Sequence, residues 1–198
     1  MRKLLLSLCL VAFLVPVSGQ KVVQRIQHLG EDNARMTGSF VESHIYPKQK
    51  KKTPEYYEGT FVFVAPDSLA LNYTKPEGDY MWMNEKQLVI RHRGENQKFA
   101  VKSTTSQKGM LKRAWQMACT GEIEKLAKEL EMKITPSENQ VRMIVKLEKK
   151  HMPDSGICTI TIMYGKIKGE MLYLKLEEVN GNYTLWEMSE VVSKHMQN

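Results

Sequence analysis

After its first nineteen residues the chain has no long apolar run. A transmembrane helix needs about 20 consecutive apolar residues, so the sequence argues against a helical membrane protein. The one apolar run, residues 4–15, follows two basic residues and precedes a proline and small residues, the order of a cleavable secretory signal. We expect residues 1–19 to be removed before Gln20, leaving residues 20–198 as a single soluble domain outside the cytoplasm.

Cysteine is scarce, with three residues in the chain. Cys9 lies in the predicted signal, and the bulky Leu8 before it disfavours lipidation, since lipoprotein signals carry a small residue there. Cys119 and Cys158 remain in the mature chain, and an oxidising compartment would allow them to pair. Neither has a Cys or His partner at metal-ligand spacing, so the sequence predicts buried thiols or one disulfide and no metal site.

Catalytic motifs are also lacking. The five histidines are scattered, and none lies beside a nucleophile or in a metal-binding triad. No glycine-rich phosphate loop precedes a predicted helix. The adjacent Glu177 and Glu178 fall in a predicted strand, where neighbouring side chains point to opposite faces. We therefore predict no enzyme and no cofactor.

Positive charge is in mild excess, with a formal net charge of +7 at pH 7. Four lysines, at 48 and 50–52, lie between two prolines, which indicates a loop rather than an element that fills a nucleic-acid groove. We predict no nucleic-acid partner. The lysine-rich loop is either solvated surface or a docking site for an acidic partner or anionic lipid head groups.

In many short segments of the sequence, apolar residues recur at every second position. This period of two predicts many short strands. Asn180-Gly181 predicts a tight primed hairpin turn with both residues at positive φ. The predicted strands are 36–45, 60–64, 69–74, 79–84, 86–93, 97–103, 141–147, 157–164, 167–178 and 183–188.

At two places the apolar residues recur with the period of a helix instead. Val22, Ile26 and Leu29 predict a short N-terminal helix, and residues 110–118 and 122–132 predict a pair of helices in mid-chain. About ten antiparallel strands make a sheet that tends to curl. The predicted fold is thus a mainly β, curled and unclosed antiparallel barrel whose apolar concave face is covered, filled or gated by helices.

One segment resembles the core signature of the LolA-type outer-membrane lipoprotein carriers. In residues 59–76 a glycine opens a strand, Pro66 ends it, an aromatic-containing strand follows, and Pro76 closes the motif ten residues later. The first strand, the helical insertion and the terminal hairpin of that family look like residues 36–42, 111–130 and 176–188.

The resemblance implies a periplasmic, monomeric carrier on an unclosed barrel with a helical lid. Such a carrier takes acylated lipoproteins from an inner-membrane transporter, shields their acyl chains and passes them to an outer-membrane acceptor. The alternative is a periplasmic lipid or lipoprotein sensor or scaffold on the same fold. Ala65 stands where the family has a lid-locking arginine and Leu71 where it has a tryptophan, so we expect lid closure and ligand to differ.

The predicted site combines the apolar faces of the strands with one face of the first inserted helix. The 13 methionines of the chain suit either ordinary core filling or a surface that adapts to variable apolar ligands. We expect the lid to contribute Met110, Leu111 and Trp115. The expected lipid-binding cavity is lined by Phe40, Phe61, Phe63, Leu69, Leu71, Tyr73, Trp82, Met143 and Val145.

Overall fold

A computed structural model describes residues 17–31, 33–49, 51–100, 106–151 and 156–195. Most of the predicted signal, residues 1–16, lies outside the described residues, and the expected cut at Gln20 falls in the first helix. The elements in chain order are α1 Val17–Glu31, β1 Asn33–Ile45, β2 Glu55–Val64, β3 Ser68–Lys75, β4 Glu77–Met83, β5 Gln87–His92, β6 Glu95–Ala100, α2 Gln107–Thr120, α3 Ile123–Glu129, β7 Met132–Glu138, β8 Arg142–Lys149, β9 Ile157–Gly165, β10 Met171–Glu178 and β11 Tyr183–His195.

All described strands belong to one antiparallel sheet of eleven strands, in the order β6-β5-β4-β3-β2-β1-β11-β10-β9-β8-β7. Every neighbouring pair is also consecutive in the chain except β1 and β11, which meet in the middle. The sheet does not close, because β6 and β7 are its two edges. The predicted mainly β, unclosed architecture with an N-terminal and a mid-chain helical element is confirmed.

Strand β7 is the one element that the sequence pattern missed. We expected the second inserted helix to reach residue 132, but α3 ends at Glu129 and Met132 already begins β7. Pro136 in its middle argues against a strand because proline lacks a backbone N–H. It is accommodated because β7 lies at the edge of the sheet, where one row of N–H groups needs no partner.

The start of β10 and the turn that follows this strand also differ from expectation. Strand β10 begins at Met171, and Ile167 lies in the preceding turn with 84% of its surface exposed. In the β10–β11 turn only Gly181 has a positive φ, of 87°, so the expected primed turn is wrong. The Gly181 N–H donates to the Glu178 carbonyl at 2.8 Å, and the Glu178 N–H donates to that of Asn182 at 2.8 Å. These bonds describe a three-residue loop with one left-handed glycine.

The helices lie against the concave face of the sheet and fill its centre. Trp115 of α2 is fully buried, and its ring centroid lies 6.3 Å from that of Phe61 on β2 and 5.6 Å from that of Trp186 on β11. Helix α1 packs its buried Val22 and Ile26 into the same core. The middle of the curled sheet is therefore packed rather than hollow. Within the described residues, no helix is long and apolar enough to cross a membrane.

Candidate functional site

A cavity of about 440 Å³ lies at one end of the curled sheet, beneath the first turns of α2. It lies where β1, β3, β5 and β10 end and where β2, β4, β9 and β11 begin. The packed centre around Trp115 closes its inner side. Its walls are chemically divided into an apolar part and a polar part.

The apolar part of the cavity, which we call the floor, is built from six side chains of five strands and α2. Period-two alternation brings them to the concave face of each strand, and Leu111 points down from the helix. The floor consists of Met81, Ile90, Leu111, Ile157, Leu176 and Trp186.

The polar part, which we call the polar wall, centres on Glu42 of β1. This side chain is buried, with 5% of the residue surface exposed. Its Oε2 accepts a hydrogen bond from the Tyr73 hydroxyl at 2.5 Å, and its Oε1 lies 2.6 Å from His44 Nε2. Burial, followed by the nearby Glu42 charge, raises the pKa of Tyr73 well above its usual value. The phenol therefore stays protonated and acts as a donor to the carboxylate.

Asp79 of β4 is a second buried carboxylate in the polar wall, with 8% exposed. Its Oδ1 accepts the Arg93 backbone N–H at 2.7 Å, and its Oδ2 lies 3.0 Å from His92 Nδ1. Arg93 has a left-handed φ of 50° in the β5–β6 turn. Asp79 thus anchors this turn and positions His92 at the cavity rim.

Aromatic rings support the polar wall from β2. The ring of Tyr57 lies 6.1 Å from that of Tyr73 and 5.4 Å from that of His44. Its hydroxyl donates to Glu55 Oε2 at 2.9 Å. Burial and this hydrogen bond to Glu55 raise the pKa of Tyr57 to about 12. The rings keep the side chains around Glu42 in fixed positions.

Helix α2 is tied to the sheet at both ends of its buried face. Near the cavity, Gln107 Nε2 donates to Glu178 Oε1 at 2.8 Å. Farther along, Lys112 Nζ donates to the Glu85 carbonyl and Gln116 Nε2 donates to the Asp67 carbonyl at 2.8 Å. Burial lowers the pKa of Lys112. These contacts hold α2 over the β2–β3 and β4–β5 turns.

No protein-family model matches this chain, and no curated protein matches it. Solved structures do. They include a LolA superfamily protein from Nitrosomonas europaea, 7% identical with a TM-score of 0.42, covering 90% of this chain and 94% of that one. A DUF1329 family protein from Desulfovibrio piger is 8% identical with a TM-score of 0.47, covering 91% and 94%. Lipoprotein LppX of Mycobacterium tuberculosis is 4% identical with a TM-score of 0.41, covering 91% and 97%.

Only two of the twelve residues expected at the site line the cavity, namely Tyr73 and Leu111. Trp82 lies on the opposite face of β4 from the buried Met81 and Met83, so the expectation that it faces the cavity does not hold. The others are buried in the packed core and do not line the cavity: Phe40, Phe61, Phe63, Leu69, Leu71, Met143, Val145, Met110 and Trp115.

The polar wall was not predicted from the sequence, although the positions of two acidic residues in their strands indicate it. Glu42 has the same strand parity as the buried Phe40, and Asp79 the same parity as the buried Met81. A charged residue in the apolar phase of a strand is unusual, because burying it requires partners. Such positions mark a polar feature inside the barrel.

Cys119 and Cys158 are buried free thiols. Burial raises the pKa of Cys119, so its thiol is protonated and unreactive near neutral pH. Among the described residues, no three His, Cys, Asp or Glu side chains are arranged to hold a metal ion.

Proposed function

We propose that this protein is a periplasmic carrier that binds the acyl chain of an amphiphile in the cavity beneath α2 and shuttles it toward the outer membrane. Acylated lipoproteins are the cargo class that the sequence resemblance implies. The observation that carries the proposal is the floor, an apolar surface open at one end of the barrel and covered by a helix. Apolar pockets with a few polar groups at one side are typical of ligand sites.

The size of the cavity limits what can enter. A volume of about 440 Å³ lies near the lower end of the range of small-molecule pockets, roughly 300–1,000 Å³. The cavity therefore suits one acyl chain, and the remaining chains of a multiply acylated cargo would stay outside it.

A carrier must also release the bound acyl chain from the cavity. Burying about fifteen methylenes at ~0.8 kcal/mol each gives on the order of 12 kcal/mol before the costs of ordering. A chain held so tightly in a closed cavity would leave slowly. Helix α2 covers the cavity and is bonded to two turn carbonyls of the sheet, so an opening motion of this helix would lower the affinity and permit transfer.

The binding test is uptake of a fluorescent acyl probe by the purified protein. Ile90→Trp fills the floor and should abolish uptake. Ile144→Trp places the same side chain on strand β8, between the inward-facing Met143 and Val145 and so on the outer face, and should leave uptake unchanged. Equal uptake by both variants would sink the proposal. A core substitution such as Leu71→Glu is unsuitable, because Leu71 is fully buried and its loss would unfold the protein.

The cargo test is native mass spectrometry of the protein purified from its own envelope. The carrier proposal expects an added mass that matches an acylated lipoprotein. Pull-down should then recover an inner-membrane transporter and an outer-membrane acceptor. Recovery of a membrane-anchored regulator in their place would favour a sensor.

A further inference from the structure

The two buried carboxylates of the polar wall have acceptor capacity to spare. Each oxygen of Glu42 and of Asp79 has one hydrogen-bonding partner among the described residues. An ionised carboxylate offers about four lone-pair sites. About half of the acceptor capacity of each group is thus left for a molecule in the cavity, which both groups line.

The positive charges near the cavity lie farther out than these carboxylates. Arg91 and Lys108 are exposed, and Lys108 Nζ lies 2.9 Å from the centroid of the Phe99 ring. The side chain of His92 is 48% exposed, against 8% for its partner Asp79. The charges are therefore layered, with anions inside and cations at the rim.

This layering selects among head groups. An anionic head placed beside Glu42 and Asp79 would meet like charges at buried positions, where repulsion is strong. A head that donates hydrogen bonds would instead use the spare lone pairs. A cationic head would also gain from charge attraction and from the aromatic surface of Tyr57 and Tyr73.

We propose that the polar wall recognises the hydrogen-bond-donating head group of an amphiphile, an amine above all, while its chain lies on the floor. This inference rests on the proposed function, because it assumes that an apolar chain enters the cavity. It adds a selectivity that acyl-chain binding by itself does not require: the cavity discriminates against fatty-acid carboxylates and phosphate heads.

The test compares three probes that share one chain and differ in the head: decylammonium, decanol and decanoate. Each displaces the fluorescent acyl probe at pH 7.5 and fixed ionic strength, below its critical micelle concentration. We expect decylammonium to bind at least tenfold more tightly than decanoate, with decanol between them. Decanoate binding as tightly as decylammonium overturns the inference.

Charge-neutral variants locate the selectivity. Glu42→Gln and Asp79→Asn keep the side-chain shape and one acceptor oxygen, and each should reduce the preference for decylammonium over decanoate at least fivefold. Binding of decanol should stay within twofold. Glu58→Gln is the matched control, because Glu58 is 48% exposed, pairs with Lys75 and lies outside the cavity. An equal loss of preference in this control would show a general charge effect and overturn the assignment.

The outcomes separate the two proposals. If decanol binds but the three heads are not ranked as expected, the head-group inference fails and acyl-chain binding stands. If none of the three probes binds to the unmodified protein, the proposed function fails and the inference with it. Should one variant not fold, as judged by circular dichroism, the other variant and the ranking on the unmodified protein still decide.

Discussion

The Tyr73 hydroxyl on β3 donates a hydrogen bond to Glu42 on β1 across the intervening strand β2, with 2.5 Å between the two oxygens. The bond joins strands that share no backbone pairing. It holds a buried carboxylate at the cavity, where its charge is balanced by donors rather than by water. Removing the donor should therefore affect stability as well as binding.

We expect Tyr73→Phe to lower the free energy of unfolding by about 1–3 kcal/mol, because a buried acceptor loses its partner. Urea denaturation measures the change. Tyr80→Phe is the matched control, since its hydroxyl lies 3.3 Å from Asn96 Oδ1 at the surface, and it should cost less than about 0.5 kcal/mol. Equal losses in the two variants would contradict a special role for the Glu42 contact.

The attachment of α2 predicts the kinetics of release. Lys112→Met and Gln116→Leu each remove a hydrogen bond to a turn carbonyl. A net loss of about 1 kcal/mol per bond should raise the rate of probe release roughly fivefold, as measured by stopped-flow fluorescence. Hydrogen exchange of the α2 amides should rise in parallel.

A suitable control for the α2 variants is Lys125→Met on α3. Its ammonium pairs with Glu122 at 3.0 Å at the surface, so the same side-chain change leaves α2 attached. Its release rate should equal that of the unmodified protein. Faster release in this variant would mean that lysine removal acts through net charge.

Stability should fall at alkaline pH. Burial raises the folded-state pKa of Cys119, Tyr73 and Tyr164 above their ordinary values of 9.0, 10.0 and 10.0. Each group stays protonated in the folded protein but ionises in the unfolded chain. The unfolded state then binds fewer protons, so stability is full below about pH 9 and is lost as the pH rises.

Each fully ionising group contributes up to about 1.4 kcal/mol per pH unit to this slope. Tyr164→Phe removes one contribution, so its unfolding free energy should decline less steeply above pH 10 than that of the unmodified protein. Urea denaturation between pH 7.5 and 11 measures the difference. Parallel curves for the two proteins would contradict the expectation.

Close packing of α1 on α2 predicts an unusual sign for a helix substitution. A Cβ at Gly30 would lie 2.3 Å from the Thr120 carbonyl oxygen, a backbone atom with little freedom to move. Alanine normally stabilises a helix interior by about 1 kcal/mol relative to glycine. Here Gly30→Ala should instead destabilise by about 1–3 kcal/mol. His28→Ala, at an exposed position of α1, should be close to neutral in the same thermal or urea measurement.

The sequence supported the prediction of the sheet far better than that of the cavity. Alternation identifies Phe61 and Phe63 as inward-facing, since a strand has only two faces. Alternation does not distinguish the two faces of a strand when both carry apolar residues, as in the run from Met81 through Trp82 to Met83. It also cannot show that Trp115 fills the centre of the barrel, because packing across the sheet depends on contacts distant in sequence.

For the same reason the open space appears at the Glu42 end of the strands and not around Leu71. The residues expected to line the cavity belong to the apolar core, apart from Trp82, and most of them do not line the cavity. Strand phase tells which face a residue occupies, whereas the position of a void along the strand depends on where the covering helix stops filling the groove.

The pairing of β1 with β11 has a consequence for how the protein is made. Residues 33–45 find their partners in residues 183–195, while every other strand pairs with a sequence neighbour. Two local meanders, β1 to β6 and β7 to β11, can form early, but the seam between them has the longest chain separation in the sheet and closes late. The molecule therefore cannot complete its sheet until residues 183–195 have been synthesised.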